Sequence, residues 1–280
     1  MPARLVVNAD DFGISERVNE GIAQAHQQGI VTATSIMAVG RAFEHAVRLS
    51  RELPALDVGV HLTLVAERPL RPAPSLVDAD GRFPAAAGPL VRRLATGSVR
   101  LVEVEAEWAA QIERVLAAGI RPSHLDSHQH VHILPGLAGI VKYLAQQYHI
   151  ARVRLPLEYP PLVWPRGMAA VLRLGGLAAL WVTWFCARLG GAYGLALPPL
   201  HFLGFLDGGR LNEERLLRLL ARIQPGRDYE LMCHPGLAPE ELELRAWGYS
   251  HEKELQALTS PRVRRVLDDR AIRLSRFSAL

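Results

Sequence analysis

The strongest constraint on this chain is an apolar run that stops abruptly at charge. Residues 4–9 lead into two adjacent carboxylates, Asp10 and Asp11, then Phe12, Gly13 and Ser15, a residue suited to cap a helix. Strand, loop and helix in that order form the repeating unit of an α/β fold, where ligands gather at the carboxyl ends of the strands. Two carboxylates side by side repel unless a cation or a shared proton relieves them, and a metal ion is the simplest relief. A helix N-cap plus a turn aspartate would explain the pair equally well, so other strand ends must decide.

The pattern continues along the chain. Val18, Ile22 and Ala25 give the first helix an apolar face, with Gly29 as its end. Residues 30–39 read as a second strand, followed by a helix over 42–53 that Pro54 closes. From Asp57 to Leu64 the alternation is clean: Val58, Val60, Leu62 and Leu64 share one face, and Gly59, His61 and Thr63 share the other. In a barrel the small and polar face points inward, which aims His61 at the interior, either as a bonded core residue or as a ligand. Residues 66–98, with several Pro and Gly, read as a long loop. A helix over 103–117 repeats Val104, Trp108, Ile112 and Leu116. A chain of 280 residues, 49% of them hydrophobic, suits a single domain of this kind.

The second concentration of chemistry is His124-Leu125-Asp126-Ser127-His128-Gln129-His130-Val131-His132. One or two His would read as a solvated loop, but four with an Asp beside a strand end point to a metal or catalytic site. If extended, His124, Asp126 and His128 share a face and serve one cavity. A helix over 136–148 precedes a strand, residues 150–156, in which Arg152 and Arg154 alternate with Val and Leu. These arginines orient a carboxylate, hold substrate oxygens, or form surface salt bridges. Further on, a helix over 213–223 capped by Asn212 leads to a strand, residues 229–233, and to His234-Pro235-Gly236, a third strand end bearing a His. A helix over 262–268 and a short strand near Ile272 end the chain.

Residues 157–205 differ in character: they are apolar, poor in charge and rich in aromatics, among them Trp164, Trp181 and Trp184. Their cleanest apolar run, 174–187, is too short to span a bilayer. It reads as a buried helix pair, or as a lid or interfacial helix with Trp and Arg at headgroup level. The net charge of +4 fits an acidic membrane surface or simply an Arg-rich composition, and no nucleic-acid motif is present. Two cysteines, Cys186 and Cys233, are too few for a disulfide framework, and the apolar run at the N-terminus is too short for a signal peptide. A cytoplasmic protein is the expectation.

The strand-end groups Asp10, Asp11, His61, His128 and His234 can supply one carboxylate and two imidazoles around a cation with open positions. A second carboxylate is left to take a proton from water, and a His on the opposite rim to protonate a leaving group. That describes metal-assisted hydrolysis of an amide or ester. A Ser–His–Asp triad lacks its Gly-x-Ser-x-Gly elbow. A phosphoesterase would call for more Lys or Arg in the site, and a non-catalytic glycolipid-binding protein would not need the whole set.

Asn8-Ala9-Asp10-Asp11-Phe12-Gly13, Val31-Thr32-Ala33-Thr34-Ser35, Val58-Gly59-Val60-His61-Leu62-Thr63, the run 124–132 and Cys233-His234-Pro235-Gly236 together resemble the YdjC-type carbohydrate deacetylases. The resemblance implies an α/β fold, a distorted TIM-like (β/α) barrel with a polysaccharide-deacetylase-like metal site, as one catalytic domain over 1–280 with the apolar 157–205 stretch inserted. It implies a divalent metal ion, magnesium or zinc, on Asp11, His61 and His128, with Asp10 as base and His234 as acid. Arg154, Asp126, His130, Trp181 and Trp184 are then expected against the substrate, an N-acetylated amino sugar. The apolar stretch is similar to that of the hopanoid-biosynthesis-associated branch, which implies N-acetylglucosamine on a hopanoid lipid, peripheral contact with the inner membrane and room for a homodimer. Soluble chitooligosaccharides are the alternative substrate.

Overall fold

A computed structural model describes residues 1–158, 175 and 200–280. The strands are β1 (Ala3–Phe12), β2 (Ala33–Ile36), β3 (Asp57–Leu62), β4 (His124–Ser127), β5 (Arg152–Val153), β6 (His201–Leu203), β7 (Asp228–Cys233) and β8 (Ile272–Leu274). They form one parallel sheet in the order β5-β4-β3-β2-β1-β7-β6, with β8 also on β1. The described helices are α1 (Glu16–Gln27), α2 (Phe43–Glu52), α3 (Ala87–Ala95), α4 (Leu101–Ala117), α5 (Leu137–Gln147), α6 (Glu213–Ala221), α7 (Leu242–Ala246), α8 (His251–Leu258) and α9 (Pro261–Asp269). The parallel α/β architecture is the expected one.

The sheet is curled into a half-barrel. In a flat sheet β5 would lie about 19 Å from β1 and about 24 Å from β7, at roughly 4.8 Å per strand. Yet Arg154, just past β5, bonds Asp10 of β1 at 2.6 Å and Glu230 of β7 at 2.6 Å. Only a strongly curved sheet brings those three strands within one side chain's reach. Apolar residues such as Leu5, Val60, Leu62, Leu125 and Leu231, all 0% exposed, belong to the core outside the curl. The concave side carries Asn8, Ser35, Asp126, Arg154 and Glu230.

Side-chain caps close three of the nine described α-helix starts, at Ser15, Asn212 and Ser260. Ser15 Oγ accepts the Val18 N–H at 3.2 Å, and Asn212 Oδ1 accepts that of Arg215 at 3.0 Å. In α4, Val104, Trp108 and Ile112 are fully buried, but Leu116 is 37% exposed. A strict four-residue repeat drifts about 40° per step on a 3.6-residue helix, so by the fourth position Val115 has taken the inner place. The second strand is shorter than its apolar run, because Ile30 N–H bonds Leu258 of α8 instead of a strand. The long loop holds α3, and the 150–156 run keeps only two residues of strand.

Of the apolar 157–205 stretch, its two ends are described: Glu158 is buried, and 201–203 is β6 within the sheet. Trp164, Trp181 and Trp184, with the expectation of a lid or membrane-facing element, lie outside the described residues. No described helix is long and apolar enough to cross a membrane.

Candidate metal centre and active site

Neighbouring residues of a strand point to opposite faces, so two adjacent acids cannot both face one cavity without a break in the strand. β1 has that break. Its register with β2 shifts between Ala9 and Phe12, and Asp11 sits at φ +67°, in the left-handed region that Asp tolerates better than most residues. The bulge turns both carboxylates inward, and both are buried. Behind it, Gly13 N–H donates to Asn19 Oδ1 at 2.6 Å, and Gly13 at φ +101° lets the chain swing into α1.

Asp11, His61 and His128 converge from β1, β3 and the end of β4, with one ligand atom from each within 4.8 Å of the others. Asp11 Oδ1 lies 3.3 Å from His61 Nε2 and 2.9 Å from His128 Nδ1. Asp11 Oδ2 and His128 Nε2 are buried without a hydrogen-bond partner among the described residues. Unsatisfied buried donors and acceptors are costly, and a cation held by these residues could supply a missing partner. One carboxylate with two imidazoles is a borderline-hard set suited to zinc or a similar divalent ion. The surroundings favour positive charge. Burial opposes a proton on His61, but Asp126 and Asp11 beside it push the imidazole up to about 10. Burial would raise Asp11, and the two imidazoles hold it well below the usual carboxylate range. His61 Nδ1 bonds Asp126 Oδ1 at 2.8 Å, which leaves Nε2 facing Asp11, a common arrangement behind metal-bound histidines.

Beneath this centre lies a buried ionic belt. Arg154, with its side chain 0% exposed, bonds Asp10 through both terminal nitrogens, at 2.6 and 2.7 Å, and Glu230 through Nε. Its Nη1 also lies 2.9 Å from Asp126 Oδ2. Asn8 Nδ2 adds a 2.8 Å bond to Asp10 Oδ1. Burial pushes Glu230 up to about 7 against the pull of Arg154, and it would raise Asp126, which Arg154 and His61 hold far below its ordinary value. Arg154 and Asp126, expected against the substrate, have polar atoms bonded to carboxylates, to His61 and to Ser35, inside the curl. His124 also leaves the site. It shares the inward face but lies one layer lower, bonded to Ser35 Oγ at 3.0 Å and stacked on Phe277. A Cβ on Gly59 would sit 2.3 Å from its ring, so only glycine fits opposite it.

Above the belt opens a cavity of about 450 Å³, within the range of small-molecule sites, reached by Asp10, His61, His128, His130 and His234. Phe205, Met232 and Tyr249 form apolar wall. His130 lines this cavity on a strained turn, with Gln129 and His130 at φ +54° and +56°. His234 lines the same cavity as His61 and His128. Burial draws its imidazole down to about 4 although Asp10 and Asp11 oppose this, and its Nδ1 has no described hydrogen-bond partner. Two aromatic side chains that the sequence reading passed over close the rim: Trp247 lies against His128 (ring centroids 4.9 Å apart) and Tyr249 against His234 (4.8 Å). Glu243, on α7 just before them, is tied to Arg41 at 2.9 Å.

Comparison with known proteins gives the same class. The family model described as YdjC-like protein matches residues 4–269, and the chain belongs to that family. A carbohydrate deacetylase from Geobacillus stearothermophilus is 34% identical over 275 residues, 98% of this chain and 96% of that protein. A chitooligosaccharide deacetylase from Salmonella dublin is 33% identical over 275 residues, 98% and 97% of the two chains. Among solved structures, a putative cellobiose-phosphate cleavage protein from Enterococcus faecalis V583 superposes with a TM-score of 0.75 at 28% identity, with 100% of each chain covered.

Proposed function

We propose that this protein is a carbohydrate N-deacetylase, a hydrolase that cleaves the acetamido C–N bond of an N-acetylglucosamine-type sugar. The observation that carries the reading is the convergence of Asp11, His61 and His128 beside a second, separately held carboxylate, Asp10. The likeness to relatives described as carbohydrate deacetylases supports it. Asp11, His61 and His128 would hold a divalent metal ion, which when bound polarises the amide carbonyl and acidifies water. Asp10, fixed by Arg154 and Asn8, takes a proton from the attacking water. Asp126 keeps His61 in the tautomer that presents Nε2. His234, lining the same cavity, delivers a proton to the departing nitrogen. The products are acetate and a free amino sugar.

His130 and the Phe205–Met232–Tyr249 wall contact the sugar. The finer reading, an N-acetylglucosaminyl hopanoid deacetylated by a cytoplasmic enzyme in peripheral contact with the inner membrane, rests on the Trp-rich sequence 157–205 with Trp181 and Trp184. The Salmonella relative's description favours soluble chitooligosaccharides. Acetate release by the pure, metal-loaded protein from N-acetylglucosaminyl lipid and from chitobiose tests both levels. Release from neither rejects deacetylation, and a strong preference for chitobiose removes the lipid. Asp10→Asn should keep metal and lose about 10²–10⁴-fold in rate; full activity in that variant would reject the base.

A further inference from the structure

A histidine that moves protons is usually aimed by a hydrogen bond to its second ring nitrogen. His234 lacks that support: Nδ1 is buried and has no described partner. Its backbone is gripped instead. The His234 N–H donates to Glu254 Oε2 at 2.6 Å, and the His234 carbonyl accepts from His251 Nδ1 at 2.9 Å. Both partners lie three residues apart on α8, hence on one face of that helix. Pro235 follows and restricts His234 to extended backbone. The ring then rests against Tyr249, which also packs on Gly209, where a Cβ would stand 2.4 Å from the Tyr249 ring.

Glu254 itself calls for explanation. It is fully buried and has no ion-pair partner among the described residues, and it spends its two oxygens on two backbone N–H groups, those of His234 and Leu211. Leu211 closes the loop from β6 that carries Phe205 and Gly208 to the cavity. Burial pushes the Glu254 carboxyl up to about 8 against the pull of those two N–H groups, and an apolar side chain would serve if the only task were packing. One carboxylate thus fastens both the strand end bearing His234 and the facing wall.

We infer that Glu254, assisted by His251, is the positioning residue of His234, setting the line along which that imidazole meets the departing nitrogen. The inference rests on the reading of His234 as proton donor. The aim comes through the peptide and not through the ring, so it does not compete with the proton His234 transfers. Glu254→Gln retains the volume but only one acceptor oxygen, so one of the two N–H groups loses its partner.

The test compares two substrates on the metal-loaded full chain. Chitobiose needs its leaving nitrogen protonated, whereas 4-nitrophenyl acetate releases a phenolate that needs no proton. Glu254→Gln should lower kcat on chitobiose about tenfold or more, with KM and bound metal unchanged, and leave the ester rate within about twofold. Equal losses on both substrates, or none on either, would overturn the inference. His234→Ala separates the underlying reading: if it spares chitobiose turnover, His234 is not the donor. NMR of ¹³C-histidine protein gives a readout independent of activity. The His234 signal should move in Glu254→Gln while those of His61 and His128 stay; an unmoved His234 signal also overturns the inference.

Discussion

Arg154→Lys asks whether the buried guanidinium serves substrate or scaffold. The side chain makes four short contacts to three carboxylates: two to Asp10 and one each to Glu230 and Asp126. A lysine keeps the charge but offers a single ammonium without the planar fork, and at this depth it can reach about half of those oxygens. Losing two charge-assisted hydrogen bonds at about 1.5–3 kcal/mol each predicts a destabilisation of roughly 3–6 kcal/mol. That is a large part of the stability of a typical domain, so the variant should still fold but with a clearly lower urea midpoint. Asp10 would also lose its two-point hold. A base displaced by about 1 Å can cost about 10²-fold in rate, so kcat on an N-acetylated chitooligosaccharide should fall by that order while KM stays put. Urea titration followed by acetate-release kinetics measures both effects. A variant with wild-type stability, or one with raised KM and unchanged kcat, would refute the scaffold role and return Arg154 to the substrate.

Two further outcomes follow from the packing and the buried imidazoles. Gly59→Ala places a methyl 2.3 Å from the His124 ring and should cost about 1–3 kcal/mol by thermal or urea unfolding; adding His124→Ala should recover part of that loss, and strict additivity would contradict the contact. His132 is buried neutral, bonded to Ser127 Oγ and the Arg154 carbonyl, with burial drawing it down to about 4. Its folded value lies below the unfolded 6.5, so stability from this group is intact above pH 6.5 and is lost as pH falls toward 4, by at most about 3 kcal/mol. The stability gap between wild type and His132→Gln should therefore narrow from pH 7 to pH 4.5, and a constant gap would show that His132 titrates normally.

How far residues betray their roles depends on whether the role is local. The adjacent Asp10–Asp11 pair, the Ser15 cap and the inward Gly59–His61–Thr63 face are written in spacing alone, whereas the bulge within β1 is not, and His128 and His234 stand out at strand ends. Period-two alternation tells the face of a residue but not its depth along the barrel. That is why His124, on the right face, belongs to the layer below the site. The partners of Arg154 were beyond reach because they depend on the curl that joins β5 to β7. Trp247, Tyr249 and Glu254 sit on or beside short helices, five and eight residues long, whose periodicity is too brief to stand out, and their contacts to His128 and His234 are purely tertiary.

The central claim is that three distant segments hold one cation. An anomalous-scattering map of crystals grown with zinc, or with manganese as a stand-in for magnesium, tests it most directly. The account predicts one strong peak about 2.0–2.2 Å from donor atoms of Asp11, His61 and His128, abolished in His61→Ala. Protein that releases acetate yet shows no density between those three side chains would contradict it.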